Sequence, residues 1–223
     1  MALRLAFDTS GPHVAAVLAE GDTPLARHHE AMPKGQAETL MPALEAILAG
    51  HGVRWGDLSA LGVGIGPGNF TGTRIAVSAA RGLALALSLP AVGLSAFALR
   101  RDLDRPDAIA HELVTLEAPR GQLYGQRFHH GVPEGAPLVF APDAPPQRLR
   151  APDLVVTGDA ADAVAERLGA TAAPATMDDL PRRMARLTDW LLSRDPAPAR
   201  PAPLYVRPAD AAPPADAPPT VVP

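Results

Sequence analysis

Short apolar runs alternate with turn residues over the first thirty positions. Residues 3–7, 13–19 and 24–30 have the length and make-up of strands, and Gly11-Pro12 and Gly21-Asp22 supply the turns between them. Their spacing predicts an antiparallel meander. From Ala37 the period changes. Leu40, Met41, Leu44, Ile47 and Leu48 recur at helical spacing, and Gly50 and Gly52 mark the end. Residues 61–65 predict a buried strand that runs into a glycine-rich loop, residues 66–72. A second helix is expected over 73–87, a strand over 91–94, and a short helix capped by Ser95 and ending at Leu99.

The order βββαβα implies a mixed sheet covered by helices. Beyond residue 103 the pattern shifts. Residues 113–116 and 123–128 read as strands about the turn Arg120-Gly121. Residues 154–157 read as a buried strand, 159–168 as a helix and 180–192 as an amphipathic helix. This divides the chain into a first lobe (1–103), a smaller second lobe (104–194) and a Pro/Ala-rich tail (195–223), partly disordered by composition. Residues 203–207 are the exception, with Leu204-Tyr205-Val206 a candidate for docking as a short strand.

Composition narrows the chemistry. With 223 residues and 47% apolar content the chain can bury a sizeable core, and having no cysteine it can form no disulfide or thiolate site. Residues 3–7 are too short for the apolar core of an export leader. The uncharged run 82–99 is broken by Ser88, Pro90, Gly93 and Ser95, so no membrane span is expected, and a cytoplasmic location is. Net charge is −4. Lys34 is the one lysine and the arginines are scattered, which argues against autonomous RNA binding.

Two loops are candidates for phosphate chemistry. Asp8, Thr9 and Ser10 end the first strand, where a carboxylate, hydroxyls and turn amides suit Mg²⁺ and phosphate, or simply satisfy a tight turn. Gly66, Gly68 and Thr71 belong to the second loop. Its glycines permit unusual backbone angles, Thr71 or Asn69 is placed to cap the next helix, and a helix N-terminus attracts anions. The alternative is a tight strand-to-helix turn plugged by Phe70. The loop lacks the Gly-Lys-Ser/Thr ending of a Walker loop. No two histidines stand four apart on a helix, and no Gly-x-Ser-x-Gly elbow occurs, so neither a metal site nor a serine nucleophile is expected. The second helix is apolar on nearly every face, which implies burial on both sides, one against the sheet and one against another domain or chain; the alternative is a fully internal helix.

Taken together, these segments resemble the TsaB family of glycoprotease-like proteins. The likeness rests on Ala6-Phe7-Asp8-Thr9-Ser10, on the run from Gly64 through Gly66-Pro67-Gly68-Asn69-Phe70-Thr71-Gly72 to Ile75, and on Ala79-Ala80-Arg81-Gly82-Leu83-Ala84. Pro90 to Ser95, Glu117 to Tyr124 and Pro203 to Arg207 support it. Gln36 stands where the family often has histidine, and Thr73, Ala76, Arg81, Glu117 and Pro119 also depart from the common pattern.

The resemblance implies an α/β ASKHA fold of two lobes, of the actin, Hsp70 and sugar-kinase type. It implies a non-catalytic subunit of the machinery that forms threonylcarbamoyladenosine next to the tRNA anticodon, activating a TsaD-like catalytic partner, with a TsaE-like ATPase completing the complex. No cofactor is assigned to this chain; ATP and Mg²⁺ serve the complex. The Asp8 and Gly66 loops are then vestiges of a phosphate site, and tRNA is met only through the complex. A homodimer is expected in the partner's absence. The first two helices are expected to form the contact through Leu40, Met41, Leu44, Ala76, Ala79, Ala80 and Leu83. The competing readings are a free-standing ASKHA ATPase or phosphotransferase, which needs a second acid such as Glu117, and a metallopeptidase, which the missing histidine pair argues against.

Overall fold

The computed structural model describes residues 2–173, 175 and 178–206. Five strands form the first sheet in the order β3-β2-β1-β4-β5: β1 (Leu3–Asp8), β2 (His13–Glu20), β3 (Thr23–Ala31), β4 (Leu58–Gly66) and β5 (Ala91–Ser95). The first three pair antiparallel, with Leu5 opposite Leu18, while β4 lies parallel to both β1 and β5. The two crossovers carry α1 (Gln36–Gly50) and α2 (Phe70–Leu87).

Strand periodicity decides which face each side chain takes. Leu5, Phe7, Val14, Ala16 and Leu18 pack with Leu40 and Leu44 of α1 and with Ala76, Val77 and Ala80 of α2. The alternate positions Ala6, Ala15, Val17 and Ala19 pack on the other face against Leu180, Met184 and Leu187 of α4 (Leu180–Arg194). Both faces are covered, so β2 is apolar at nearly every position rather than alternating with polar residues. The alanines bring α4 close to the sheet.

That packing corrects the assignment of residues 180–194 to the second lobe. The amphipathic helix was read correctly, but its apolar stripe is complementary to the first sheet, and Arg4–Asp189 and Arg27–Asp179 ion pairs fix it there.

The second sheet has the order β10-β9-β6-β7-β8, built from β6 (His111–Ala118), β7 (Gln122–His129), β8 (Val132–Phe140), β9 (Val155–Gly158) and β10 (Thr171–Ala173). α3 (Ala161–Leu168) covers one face through Val164, Ala165 and Leu168. Neither edge strand was expected. β8 contains Pro133 and Pro137, residues tolerated at an edge, and β10 is three residues long. Residues expected as a short helix from Ser95 form one 3-10 turn, Ala98–Arg100, with the Ser95 hydroxyl accepting from the Ala98 amide.

Two features join the sheets. Arg101, 2% exposed, donates to Glu112 of β6 at 2.5 Å, and its guanidinium lies 4.6 Å from the Phe128 ring. Glu112 also accepts from Thr157 of β9 at 2.9 Å. The segment after α4 then runs back between the sheets. The Leu204 amide donates to Ile65 of β4 at 2.8 Å, while Leu204 and Val206 pack against Phe97, Val114, Leu116 and Phe128. Residues 203–206 therefore dock, but through a single backbone hydrogen bond and side-chain packing, with no strand formed. The expectation of disorder over 207–223, and Arg207 of the docking segment, lie outside the described residues. Among the described residues, no helix is long and apolar enough to cross a membrane.

Candidate functional site

The end of β1 and the loop before α2 meet directly. β1 delivers Asp8, Thr9 and Ser10 to the sheet's upper edge, where all three are buried. The Ser10 amide and hydroxyl donate to the Asp8 carboxylate at 2.8 and 3.0 Å, and His13 Nε2 lies 3.2 Å from Asp8 Oδ2. Both carboxylate oxygens are thus engaged within the hairpin. The Thr9 hydroxyl donates to the Gly72 carbonyl at 2.7 Å, and the Asn69 amide donates to the Ser10 carbonyl at 2.6 Å.

The glycines of the second loop serve two different ends. Gly66 alone of Gly66, Gly68 and Gly72 has a positive φ, at 80°. Gly68 and Gly72 are there for space. A Cβ on Gly68 would stand 2.3 Å from the Ser10 carbonyl oxygen, and one on Gly72 would stand 2.0 Å from that of Thr9. Asn69, not Thr71, caps α2: its side chain accepts from the Gly72 amide at 3.0 Å. Thr71 is exposed. The two loops are therefore packed directly against each other, with Gly68 against the backbone of Ser10 and Gly72 against that of Thr9. Asp8 Oδ1 accepts the bond from the Ser10 amide, and Oδ2 meets the Ser10 hydroxyl and His13.

Phe70 is no plug. It is 43% exposed, with the Arg74 guanidinium 3.8 Å from its ring and Tyr205 beside it at 5.3 Å. Arg74 Nε donates to the Tyr205 hydroxyl at 2.8 Å. This cluster ties the docked segment to the first turn of α2. Only the separate halves of it, the loop and the Pro-x-Tyr segment, could be seen in the sequence.

Burial also divides the expected interface residues. Leu40, Leu44, Ala76 and Ala80 are at most 1% exposed and belong to the chain's own core, so none is open to a partner. The helical period was right and the phase wrong: in a helix apolar all round, sequence alone does not say which stripe meets the sheet. Met41, Ala79 and Leu83 are half-buried at the margins. The exposed positions include Glu38, Pro42, Glu45, Ala46 and Ala49 of α1 and Arg74, Ser78, Arg81, Gly82, Leu85 and Ala86 of α2, with Leu85 77% exposed.

Among the described residues, no three or more of His, Asp and Glu are placed to hold a metal ion. Partial burial, with His13 and His28 nearby, lowers the pKa of His29 from its ordinary value. Gln36, where the family often has histidine, is buried and donates to the Met32 carbonyl at 3.0 Å. A cleft of about 180 Å³ is lined by Arg101, Asp104, Asp179, Arg182, Arg183 and Arg186 among others, mixed in sign. Burial lowers the Arg183 pKa, and its guanidinium donates to the Leu99 carbonyl at 2.6 Å.

Comparison with known proteins places this geometry in context. The family model described as TsaD, tRNA N6-adenosine threonylcarbamoyltransferase, matches residues 28–127. The tRNA threonylcarbamoyladenosine biosynthesis protein TsaB of Escherichia coli is 30% identical over 66% of this chain and 65% of its own length. The chain thus spans just under two thirds of that relative. An uncharacterised Mycobacterium tuberculosis protein is 33% identical over 94% of this chain and 93% of its own. A Pseudomonas aeruginosa crystal structure, described as an uncharacterised protein with similarity to peptidase YeaZ, superposes with a TM-score of 0.69 at 26% identity. It covers 93% of this chain and 100% of that one. A Thermus thermophilus ROK hexokinase shares the fold alone, with a TM-score of 0.53 at 16% identity, over 86% of this chain and 100% of its own. The α/β ASKHA architecture expected from the sequence is the one observed.

Proposed function

The chain belongs to the TsaB family, and from that premise we propose that it is a non-catalytic subunit in the formation of threonylcarbamoyladenosine on tRNA. In this reading it activates a TsaD-like catalytic subunit, alongside a TsaE-like ATPase, and meets tRNA only through the complex. The ATP and Mg²⁺ of the reaction are held elsewhere in the complex. The matching of residues 28–127 by the TsaD model supports a paralogous pair, in which two similar lobes present similar helices to each other.

One observation carries the non-catalytic assignment. The two loops that would cradle phosphate are packed against one another, with Gly68 and Gly72 touching the backbone of Ser10 and Thr9. Asp8 spends both oxygens on Ser10 and His13. What remains for function is surface. The outward surface of α1 and α2 sets small and apolar residues among the charged Glu38, Glu45, Arg74 and Arg81, and it is the candidate contact with the TsaD-like subunit and, when that is absent, with a second copy. Met41, Ala79 and Leu83 stay in this contact as its margin.

Calorimetry and a turnover assay on the isolated chain with Mg²⁺ and ATP test the assignment. The expected result is no hydrolysis and no micromolar binding. ATP turnover that survives purification and disappears in Asp8→Ala would replace it with an ASKHA phosphotransferase.

A further inference from the structure

Each lobe has a core of its own. The first packs α1 and α2 on one face of its sheet and α4 on the other, and the second packs α3 on its sheet. Among the described residues no helix or strand of one lobe packs broadly on a helix or strand of the other. Irregular chain joins the lobes instead, and it does so on two opposite sides.

The first joint lies on the α4 side. The chain passes from one lobe to the other through residues 96–110. α4 grips that crossing: Arg183 donates to the Leu99 and Arg101 carbonyls, and Arg186 pairs with Asp104. The second lobe grips it too, since Arg100 pairs with Asp159 at 3.0 Å and Arg101 with Glu112. A Cβ on Gly131, in the turn between β7 and β8, would stand 2.9 Å from the Trp190 ring, so that turn seats on α4. Because the backbone itself crosses here, this joint can bend but cannot part.

The second joint lies on the α2 side and is made by the segment after α4. Pro201 is buried, and Leu204 and Val206 complete the cluster of Phe97, Val114, Leu116 and Phe128 between the lobes. Tyr205 reaches the first turn of α2 through Arg74 and Phe70, and the Leu204 amide reaches Ile65 at the end of β4. Phe97 and Phe128 are fully buried, so without Leu204 and Val206 they would line an empty groove. The tether that leads to this segment, residues 193–200, is exposed apart from half-buried Pro198. A segment with no ladder, one backbone hydrogen bond and a solvated tether belongs to the part of a fold that opens first.

We propose that residues 201–206 are a clasp. Seated, they fix the angle between the lobes; released, they let the second lobe swing on the crossing at residues 96–110. The clasp is opposite the hinge, where a small hold restrains a large movement. Its bond from Tyr205 to Arg74 carries its state to the first turn of α2, so a ligand or subunit that binds one lobe angle better than the other shifts the clasp as well. The proposal goes beyond the function proposed above and does not depend on it.

The chain has no cysteine, so Ser78→Cys on α2 and Ala163→Cys on α3, both exposed, place one dye on each lobe. Single-molecule energy transfer, at a dilution where every chain is alone, reads the angle between the lobes, and circular dichroism checks folding. The labelled chain with its clasp intact is expected to show one narrow transfer efficiency. Leu204→Asp in the labelled chain is expected to fold and to shift or broaden that efficiency. A saturating peptide of residues 199–206 is expected to restore it, and the same peptide carrying Leu204→Asp is expected to restore nothing. A folded Leu204→Asp chain with unchanged efficiency and width overturns the clasp, and so does a shift that the peptide fails to reverse or that both peptides reverse alike. If Leu204→Asp does not fold, a protease site inserted after Ala197 lets the clasp be cut from the folded chain and washed away. The cut chain must then show the shift and its reversal by the peptide; an unchanged efficiency overturns the proposal.

Discussion

Gly72→Ala adds one methyl group at the junction of the two loops. Its Cβ would stand 2.0 Å from the Thr9 carbonyl oxygen and 3.1 Å from its carbon. Relief requires the hairpin and the first turn of α2 to part by about 1 Å, a forced overpacking that costs roughly 1–3 kcal/mol. Parting them also stretches the buried bond from the Thr9 hydroxyl to the Gly72 carbonyl, now 2.7 Å, worth about 1 kcal/mol. Against this, alanine is favoured over glycine in a helix by at most about 1 kcal/mol. The net expectation is a loss of about 1–3 kcal/mol. Urea unfolding, at a concentration where the chain is monomeric, reads it as a midpoint lowered by roughly 1 M for a slope near 2 kcal/mol per M. Gly82→Ala in the same helix is the control. Nothing lies within 4 Å of the added methyl group, so the propensity term acts alone and the variant gains about 0.5–1 kcal/mol. If Gly72→Ala is as stable as wild type, the loops are not packed as described and the case against a phosphate pocket collapses.

Removing the Asp8 carboxylate with Asp8→Ala leaves the Ser10 amide and hydroxyl and His13 without their acceptor; the unfolding free energy should fall by about 2–3 kcal/mol, with Asp8→Asn losing less. Ala80→Glu, at 0% exposure, should abolish cooperative unfolding, whereas Ala86→Glu on the outward face should unfold like wild type; both are read by thermal circular dichroism. The depressed pKa of His29 means that the unfolded chain takes up more protons as pH falls through about 6.5. Stability should therefore decline on acidification below that value, and less steeply in His29→Gln, measured as melting temperature between pH 7.5 and pH 5.5; an identical pH profile in the two would exclude a part for His29.

Local chemistry made much of this molecule legible in the sequence. The three-stranded meander, both crossover helices and the central strands of the second sheet follow from period and turn residues, because each buries an apolar stripe of the expected spacing. β8 and β10 were hidden because edge strands need neither alternation nor apolar content, and Pro133 and Pro137 disguised the longer one. α4 was recognised as a helix and assigned to the wrong lobe, since amphipathicity gives a face but not the surface it meets. The same limit set the phase of α2 wrongly, so that Ala76 and Ala80 were placed outward although they pack on the sheet. At the candidate site the two loops were singled out separately. Their direct contact was not legible, because the distance from Gly72 to Thr9 depends on how two loops sixty residues apart settle against each other.

The most direct measurement of the account is reconstitution on unmodified tRNA with a TsaD-like subunit, a TsaE-like ATPase and the threonylcarbamoyl donor. The chain is supplied as wild type, Asp8→Asn or Leu85→Glu, or is left out. A non-catalytic partner acting through its helical surface predicts that modification requires the chain. It also predicts that Asp8→Asn supports modification as wild type does, and that folded Leu85→Glu supports little. Full modification without the chain, or loss of modification in a folded Asp8→Asn with Leu85→Glu fully active, would contradict it.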